Sequence, residues 1–321
     1  MTDWNPWAPR DWSATELELQ SPDLPFVTIG ILSYNRKDDL RRMLDVVTRA
    51  VQYPSYEVLV IDNGSTDGSA EMVRAEFPSV RLHAIGWNMG IPARNIQAEL
   101  AKGKYLFSYD DDSCPGTPAT ILRIVQFMEK HTDVDVLSSR CQRPLTGITE
   151  TGGWEQFRLG MDSQKGYEGI FLVEGGVCFR LSSLRTMEGY DSRFLFGKEG
   201  FDLGLQFFKS GGGIYLCPRY VTLHFASNVM RSPNKILYLE SRNALWLIAK
   251  HWPFSWTPLL TLAWVFRRML GMILHRGTAM SAVKGLKDGF KGMGPFFQYR
   301  PKLTWSQALK LKRFYVQMVR W

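Results

Sequence analysis

Val27-Thr28-Ile29-Gly30-Ile31-Leu32-Ser33 is a β-rich run, and beyond Tyr34-Asn35-Arg36 the residues Leu40, Met43, Leu44 and Val47 fall at i, i+3, i+4 and i+7. That spacing reads as one strand followed by one amphipathic helix. The same order repeats outward from this unit, with strands expected at about Glu57 to Ile61, Val80 to Ile85, Lys104 to Tyr109 and Val134 to Ser138. Helical patterns such as Ile121, Ile124, Val125 and Met128 separate them. Alternation of this kind implies an α/β fold with a mostly parallel sheet covered by helices on both faces. Gly-rich and polar stretches between Gly147 and Gly169 break the pattern and predict irregular structure. A strand is expected from Phe171 to Arg180, a helix from about Asp202 to Ser210 and a strand near Ile214 to Leu216. From about Ser232 onward Ile236, Leu237, Leu239, Leu245, Trp246 and Ile248 supply helical apolar faces, interrupted at Pro253, Pro258 and Gly271.

A chain of 321 residues, 45% hydrophobic and 22% charged, can bury a full core and is not a disordered protein. Its net charge of +8 is uneven, because residues 231–321 hold 16 Lys and Arg against only Glu240 and Asp288, a local balance of +14. Such a tail wants an anionic partner, a lipid surface or a polynucleotide. The apolar runs Trp256 to Leu260 and Leu262 to Phe266 are mixed into it, and Arg267 and Arg268 cut them short of the roughly 20 residues a spanning helix needs. A helical region lying on an anionic membrane surface fits better than one crossing it, and nucleic acid is the disfavoured partner. Cys114, Cys141, Cys178 and Cys217 show no paired metal-ligand spacing, which argues against structural zinc and predicts free thiols. Met1 to Asp23 has acidic residues and no apolar signal core, which points to a cytoplasmic protein, peripheral on the inner face of the cell membrane. The expected organisation is a lead-in arm over 1–25, a catalytic domain over 26–230 with its halves at 26–115 and 116–230, and a basic helical tail over 231–321.

In an open α/β sheet a ligand sits outside the carboxyl ends of the strands. Tyr34 and Asn35 follow the first strand, Asp62-Asn63-Gly64-Ser65 the second, Trp87-Asn88-Met89-Gly90 the third and Asp110-Asp111-Asp112 the fourth. Each alone is ordinary turn chemistry; four in succession on one edge read as a site. Asp110 and Asp112 are two residues apart at a strand end, so an extended backbone would put both carboxylates on one side. Three uncompensated aspartates repel one another unless a cation neutralises them, and an oxygen-only cluster selects a hard ion such as Mg²⁺ or Mn²⁺.

These segments, Val27 to Arg36, Val60 to Ser69, Asn88-Met89-Gly90 with Arg94-Asn95, and the triple aspartate, together resemble family 2 glycosyltransferases of the GT-A fold, particularly the bacterial rhamnosyltransferase-like branch. The resemblance runs over roughly residues 26–250. It implies a Rossmann-like nucleotide-diphospho-sugar transferase fold and an inverting transfer from a UDP- or dTDP-activated donor to a hydroxyl of a glycan or lipid-linked acceptor. It implies donor binding by Ser33, Tyr34, Asn35, Asp62, Asn88, Gly90, Arg94, Asp110 and Asp111. Metal binding would fall to Asp110 and Asp112, with His224 as a third ligand. Gly175 and Gly176 resemble the family's acceptor-side glycine pair, and Trp154 is a candidate for stacking on a sugar ring.

An inverting transfer needs a carboxylate to accept the proton of the attacking hydroxyl. The family commonly writes it in Glu-Asp-X-Asp-Leu, where this chain reads Glu199-Gly200-Phe201-Asp202-Leu203. The second acid is replaced by Gly200. Either Glu199 or Asp202 takes the role, Asp202 also being suited to cap the helix, or the chain is a membrane-peripheral nucleotide-sugar binding protein with impaired catalysis.

Overall fold

The computed structural model describes residues 24–144, 146–150, 158–170, 172–225, 232–274 and 279–311. Among these the strands are β1 (Val27–Ser33), β2 (Tyr56–Asp62), β3 (Arg81–Ala84), β4 (Tyr105–Asp110), β5 (Ser113–Pro115), β6 (Val134–Gln142), β7 (Gly160–Asp162), β8 (Gly166–Glu168), β9 (Val177–Arg180) and β10 (Gly213–His224). The helices are α1 (Lys37–Arg49), α2 (Ser69–Glu76), α3 (Arg94–Leu100), α4 (Thr120–Lys130), α5 (Leu181–Leu184), α6 (Glu199–Ser210), α7 (Pro233–His251), α8 (Thr257–Leu274), α9 (Ala279–Gly292) and α10 (Trp305–Lys310).

One sheet runs β3-β2-β1-β4-β9-β6-β10-β8-β7, with β5 pairing β10 from the side. β1, β2, β3 and β4 are parallel neighbours, so their carboxyl ends meet at one edge. β9 then enters antiparallel between β4 and β6. β1 is buried along its whole length, as a central parallel strand covered on both faces must be. On one face Ile29, Ile31, Val60 and Phe107 pack with Leu44 and Val47 of α1 and Ile124 and Val125 of α4. On the other, Leu106, Val136 and Phe179 meet Leu203 and Phe207 of α6. Each such side chain fully withdrawn from water contributes about 1.5–3 kcal/mol.

Three expected elements differ. The strand expected from Phe171 is a 3₁₀ turn, Glu174–Gly176, followed by the short β9; Phe171 itself lies outside the described residues. β10 extends far past Leu216, because a register shift between Cys217 and Val221 carries the strand over Pro218 and Arg219. The irregular stretch before Gly169 includes the hairpin β7-β8.

The tail is helical, and much of it turns inward. Leu245, Ile248, Trp252, Trp264 and Phe296 form one core with Phe201 and Leu205 of α6. No helix of the described residues is long and apolar enough to cross a membrane.

Candidate functional site

The loops at the carboxyl ends of β1, β2 and β3 are tied into one rim. Asn35 adopts a left-handed backbone, φ 52°, which Asn tolerates better than most residues. Its N–H donates to Ser65 Oγ at 2.9 Å, and its Oδ1 accepts from the Thr66 N–H at 2.7 Å. Ser33 is buried and in register with Asp62, whose Oδ1 accepts from the Ser65 N–H. Asn63 reaches the third loop, donating from Nδ2 to Asn88 Oδ1 and the Gly90 carbonyl and accepting from the Met89 N–H at 2.8 Å. Gly90 has φ 71°, and a Cβ there would lie 2.7 Å from the Leu195 carbonyl oxygen, so only glycine fits. Tyr34, Trp87 and Asn88 remain exposed along this rim.

The triple aspartate does not fan out as an extended strand would. β4 ends at Asp110, and Asp111 and Asp112 turn away. Asp110 pairs with Arg94, a guanidinium only 2% exposed that also donates to Ser108 Oγ and the Tyr109 carbonyl. Arg94 therefore lies beneath Asp110 rather than out over the cleft. Asp111 accepts from the Tyr34 N–H at 3.2 Å and from Arg36 Nη1 at 3.3 Å. Asp112 pairs with the same Arg36. The charge expected to be uncompensated is thus met by two arginines. Burial pushes the Asp111 carboxyl up to about 7, Arg36 opposing and the neighbouring aspartates adding to the rise. For Asp112 burial acts the same way, but the hydrogen bond from His224 and the charge of Arg36 win and hold it below the usual carboxylate range.

His224 closes this end of the cleft. β10 brings its Nε2 to 3.4 Å from Asp112 Oδ1, while Nδ1 bonds Glu150. Asp112 and Glu150 raise its pKa to about 9, against burial. A carboxylate on Nδ1 that turns Nε2 toward a second oxygen donor is how metal-ligating histidines are commonly oriented. Asp112 and His224 would fit a divalent ion once the ion displaces the Nε2 proton of the ring, with its remaining ligands from water and phosphate oxygens. Asp110 is turned to Arg94 instead. Among the described residues no group of three or more His, Cys, Asp and Glu side chains gathers as a complete metal set.

On the acceptor half one member of the expected glycine pair is taken up by packing. Gly176 is buried, and a Cβ there would meet Thr222 Oγ1 of β10 at 2.2 Å, so its smallness serves strand packing rather than approach of a sugar. Gly175 lies against Asp110, where a Cβ would be 3.2 Å from Oδ2. Trp154 falls outside the described residues. Glu199 begins α6 at 5% exposure. Asp202 is 0% exposed, accepts from Lys250 Nζ at 2.9 Å and lies 2.7 Å from His251 Nε2. It makes no side-chain cap on α6. A carboxylate so enclosed has no surface to offer a substrate hydroxyl, and its place is structural. The loop before α6 is fixed from the tail as well, since Asn243 Nδ2 donates to the carbonyls of Phe194 and Gly197.

Arg36, Asn63, Glu150, Lys250 and His251 escaped the sequence reading. Arg36 stands inside the quoted first motif and Asn63 inside the second, so position alone could have flagged both. Glu150, Lys250 and His251 carry no local signal.

Residues 28–186 match the family described as "Glycosyl transferase family 2". The SPbeta prophage-derived glycosyltransferase SunS of Bacillus subtilis (strain 168) is 25% identical over 146 residues, 44% of this chain and 33% of that one. Glycosyltransferase AglE of Haloferax volcanii is 36% identical over 98 residues, 29% of this chain and 32% of that one. The chain thus spans about a third of the length of these curated relatives. The mannosyltransferase PcManGT from Pyrobaculum calidifontis, solved in complex with GDP-Man and Mn²⁺, superposes with a TM-score of 0.57 at 16% identity, covering 98% of this chain and 90% of that one. The likeness is one of fold, a mixed α/β GT-A-like sheet with C-terminal helices.

Proposed function

The chain carries a family 2 glycosyltransferase domain, and from that premise we propose that it moves a sugar, with inversion, from a UDP- or dTDP-activated donor to a hydroxyl of a glycan or lipid-linked acceptor. The observation that carries this reading is the single rim made by the loops after β1, β2 and β3 beside Asp110-Asp111-Asp112. Tyr34, Asn35 and Asp62 hold the nucleoside; Asn88 and Gly90 shape the rim beside it. Arg94 pairs with Asp110 and fixes it, so that the donor meets a carboxylate that does not swing. A divalent ion, Mg²⁺ or Mn²⁺, held by Asp112 and His224, supplies positive charge for the leaving diphosphate. Mn²⁺ in the mannosyltransferase complex supports that choice. Glu150 keeps the His224 ring turned for the task. Asp202 is committed to Lys250 and His251, so the acceptor proton falls to an acid other than Asp202 near the start of α6.

An acceptor at an anionic membrane surface accords with the charge of the tail and with α8, whose Leu259, Leu262, Phe266 and Met269 stay exposed at helical spacing. Such a peripheral enzyme would work at the cytoplasmic face.

Thermal shift with UDP- and dTDP-sugars in the presence of Mn²⁺ tests the donor reading. The matching donor raises Tm, corresponding to about 2.7 kcal/mol at a hundredfold excess over Kd. Asp112→Ala removes both the Mn²⁺-dependent part of that shift and turnover; an unchanged rate in the purified variant would sink the metal assignment. Tight nucleotide binding without release of diphosphate would favour the binding-only protein.

A further inference from the structure

The helix that begins at Glu199 has glycine at its second position, where the family motif carries an acid. A Cβ on Gly200 would lie 3.1 Å from Oε1 of Glu174 and 3.4 Å from the Leu172 carbonyl oxygen. Both are tighter than or at the edge of ordinary contact. The volume a side chain at 200 would occupy is therefore filled by a carboxylate delivered from another element. Glu174 opens the 3₁₀ turn that leads into β9. That turn is pinned on the donor side: Ser113 Oγ donates to the Gly175 carbonyl at 2.7 Å, and a Cβ on Gly175 would lie 3.2 Å from Asp110 Oδ2. One buried cation serves the whole group. Burial works against the Arg94 charge, and Asp110 first, with Glu174 and Glu199 behind it, sustains it.

Access separates the acids. A catalytic base has to touch the hydroxyl it deprotonates. Asp202 and Glu199 are buried, whereas Glu174 is only partly buried: its Oε1 is enclosed beside Gly200, and the accessible part of the residue lies outside that atom.

We propose that Glu174 is the catalytic base of the transfer, supplying from the β9 turn the carboxylate that α6 lacks at Gly200. This rests on the transferase reading above. The acceptor O–H bond breaks and its proton passes to the Glu174 carboxylate. The oxygen's electron pair forms the new bond to the anomeric carbon. The bond from that carbon to the donor phosphate oxygen breaks, its electron pair leaving on the nucleoside diphosphate, and nothing is oxidised or reduced.

The test uses the full chain with Mn²⁺, a panel of UDP-glucose, UDP-N-acetylglucosamine, dTDP-rhamnose and GDP-mannose, and octyl glycosides as acceptors, reading release of nucleoside diphosphate. Glu174→Gln is expected to lower kcat by about 10²–10⁴-fold while the donor KM and the donor-induced Tm shift hold. The double variant Glu174→Gly with Gly200→Asp, which moves the acid back onto the helix, is expected to recover turnover over Glu174→Gly alone. An active wild type with an equally active Glu174→Gln overturns the base assignment and leaves the transferase reading standing. A Glu174→Gln variant that loses donor binding together with turnover also overturns it, since the residue would then act on structure. No release by the wild type with any donor overturns the transferase reading and the base with it.

Discussion

Asp202 is where a sequence motif and its environment part company. By position it belongs to an acidic catalytic element, yet Lys250 and His251 reach it from a helix some fifty residues further on. Without the Asp202 charge the buried Lys250 keeps only Asp191 and Glu188 as partners, and breaking a buried ionic pair typically costs about 3–5 kcal/mol. Asp202→Asn should therefore lower the unfolding free energy by that order, read as a lower urea midpoint with m unchanged, and a midpoint within error of the wild type would show that the group is not structural. The same blindness to distant partners affected the triple aspartate. Three acids in a row looked uncompensated because Arg36 lies 75 and 76 positions from Asp111 and Asp112. Their identity was legible from local order; their charge balance was not.

At the scale of elements, what could be read was whatever a short apolar period announces. β1, β2 and α1 were, because each buries a contiguous pattern. β10 was truncated in the reading because Pro218 and Arg219 interrupt its apolar run, and only pairing with β6 on both sides of the bulge keeps it a strand. α7 was legible as a helix from its apolar faces alone, but nothing in that pattern showed that Asn243, Lys250 and His251 all point into the protein. His251 gives this helix a pH signature. Burial depresses its pKa to about 4, with Asp202 opposing and Lys209 and Lys250 adding to the fall. Its Nδ1 has no hydrogen-bond partner among the described residues, as suits a neutral ring that donates from Nε2 to Asp202. The folded state then binds this proton less readily than the unfolded state, whose histidine has a pKa near 6.5. Stability from this group is complete above about pH 6.5 and is lost as pH falls toward about 4. Urea midpoints measured from pH 7 to pH 4 should fall, and His251→Asn should flatten that limb; an identical slope in the variant would assign the loss elsewhere.

For the molecule as a whole, the division of charge and the direction of the apolar surface coincide. Residues 231–321 carry the excess of positive charge, and α8 in the same region exposes Leu259, Leu262, Phe266 and Met269, with Met280 and Phe290 on α9. A contiguous exposed apolar stripe on a cationic body suits an anionic bilayer surface. Vesicles with 30 mol% phosphatidylglycerol should float the protein at low salt and release most of it at about 0.5 M salt, where the screening length is only a few ångströms. Leu262→Glu with Phe266→Glu should abolish flotation without moving Tm by more than a degree or two, both side chains being in water already. Equal flotation on neutral vesicles would refute the electrostatic part.

The contacts of α7 also impose an order in time. Asp202 leaves the ribosome long before Lys250 and His251 exist, and the Phe194 to Gly197 loop before Asn243 does. During synthesis the loops after β1, β2 and β3 can settle early, because their partners are close behind them in sequence, while the opposite wall of the cleft waits for the late helices. The rim of loops can thus be complete before the wall opposite it, which is finished only when α7 arrives.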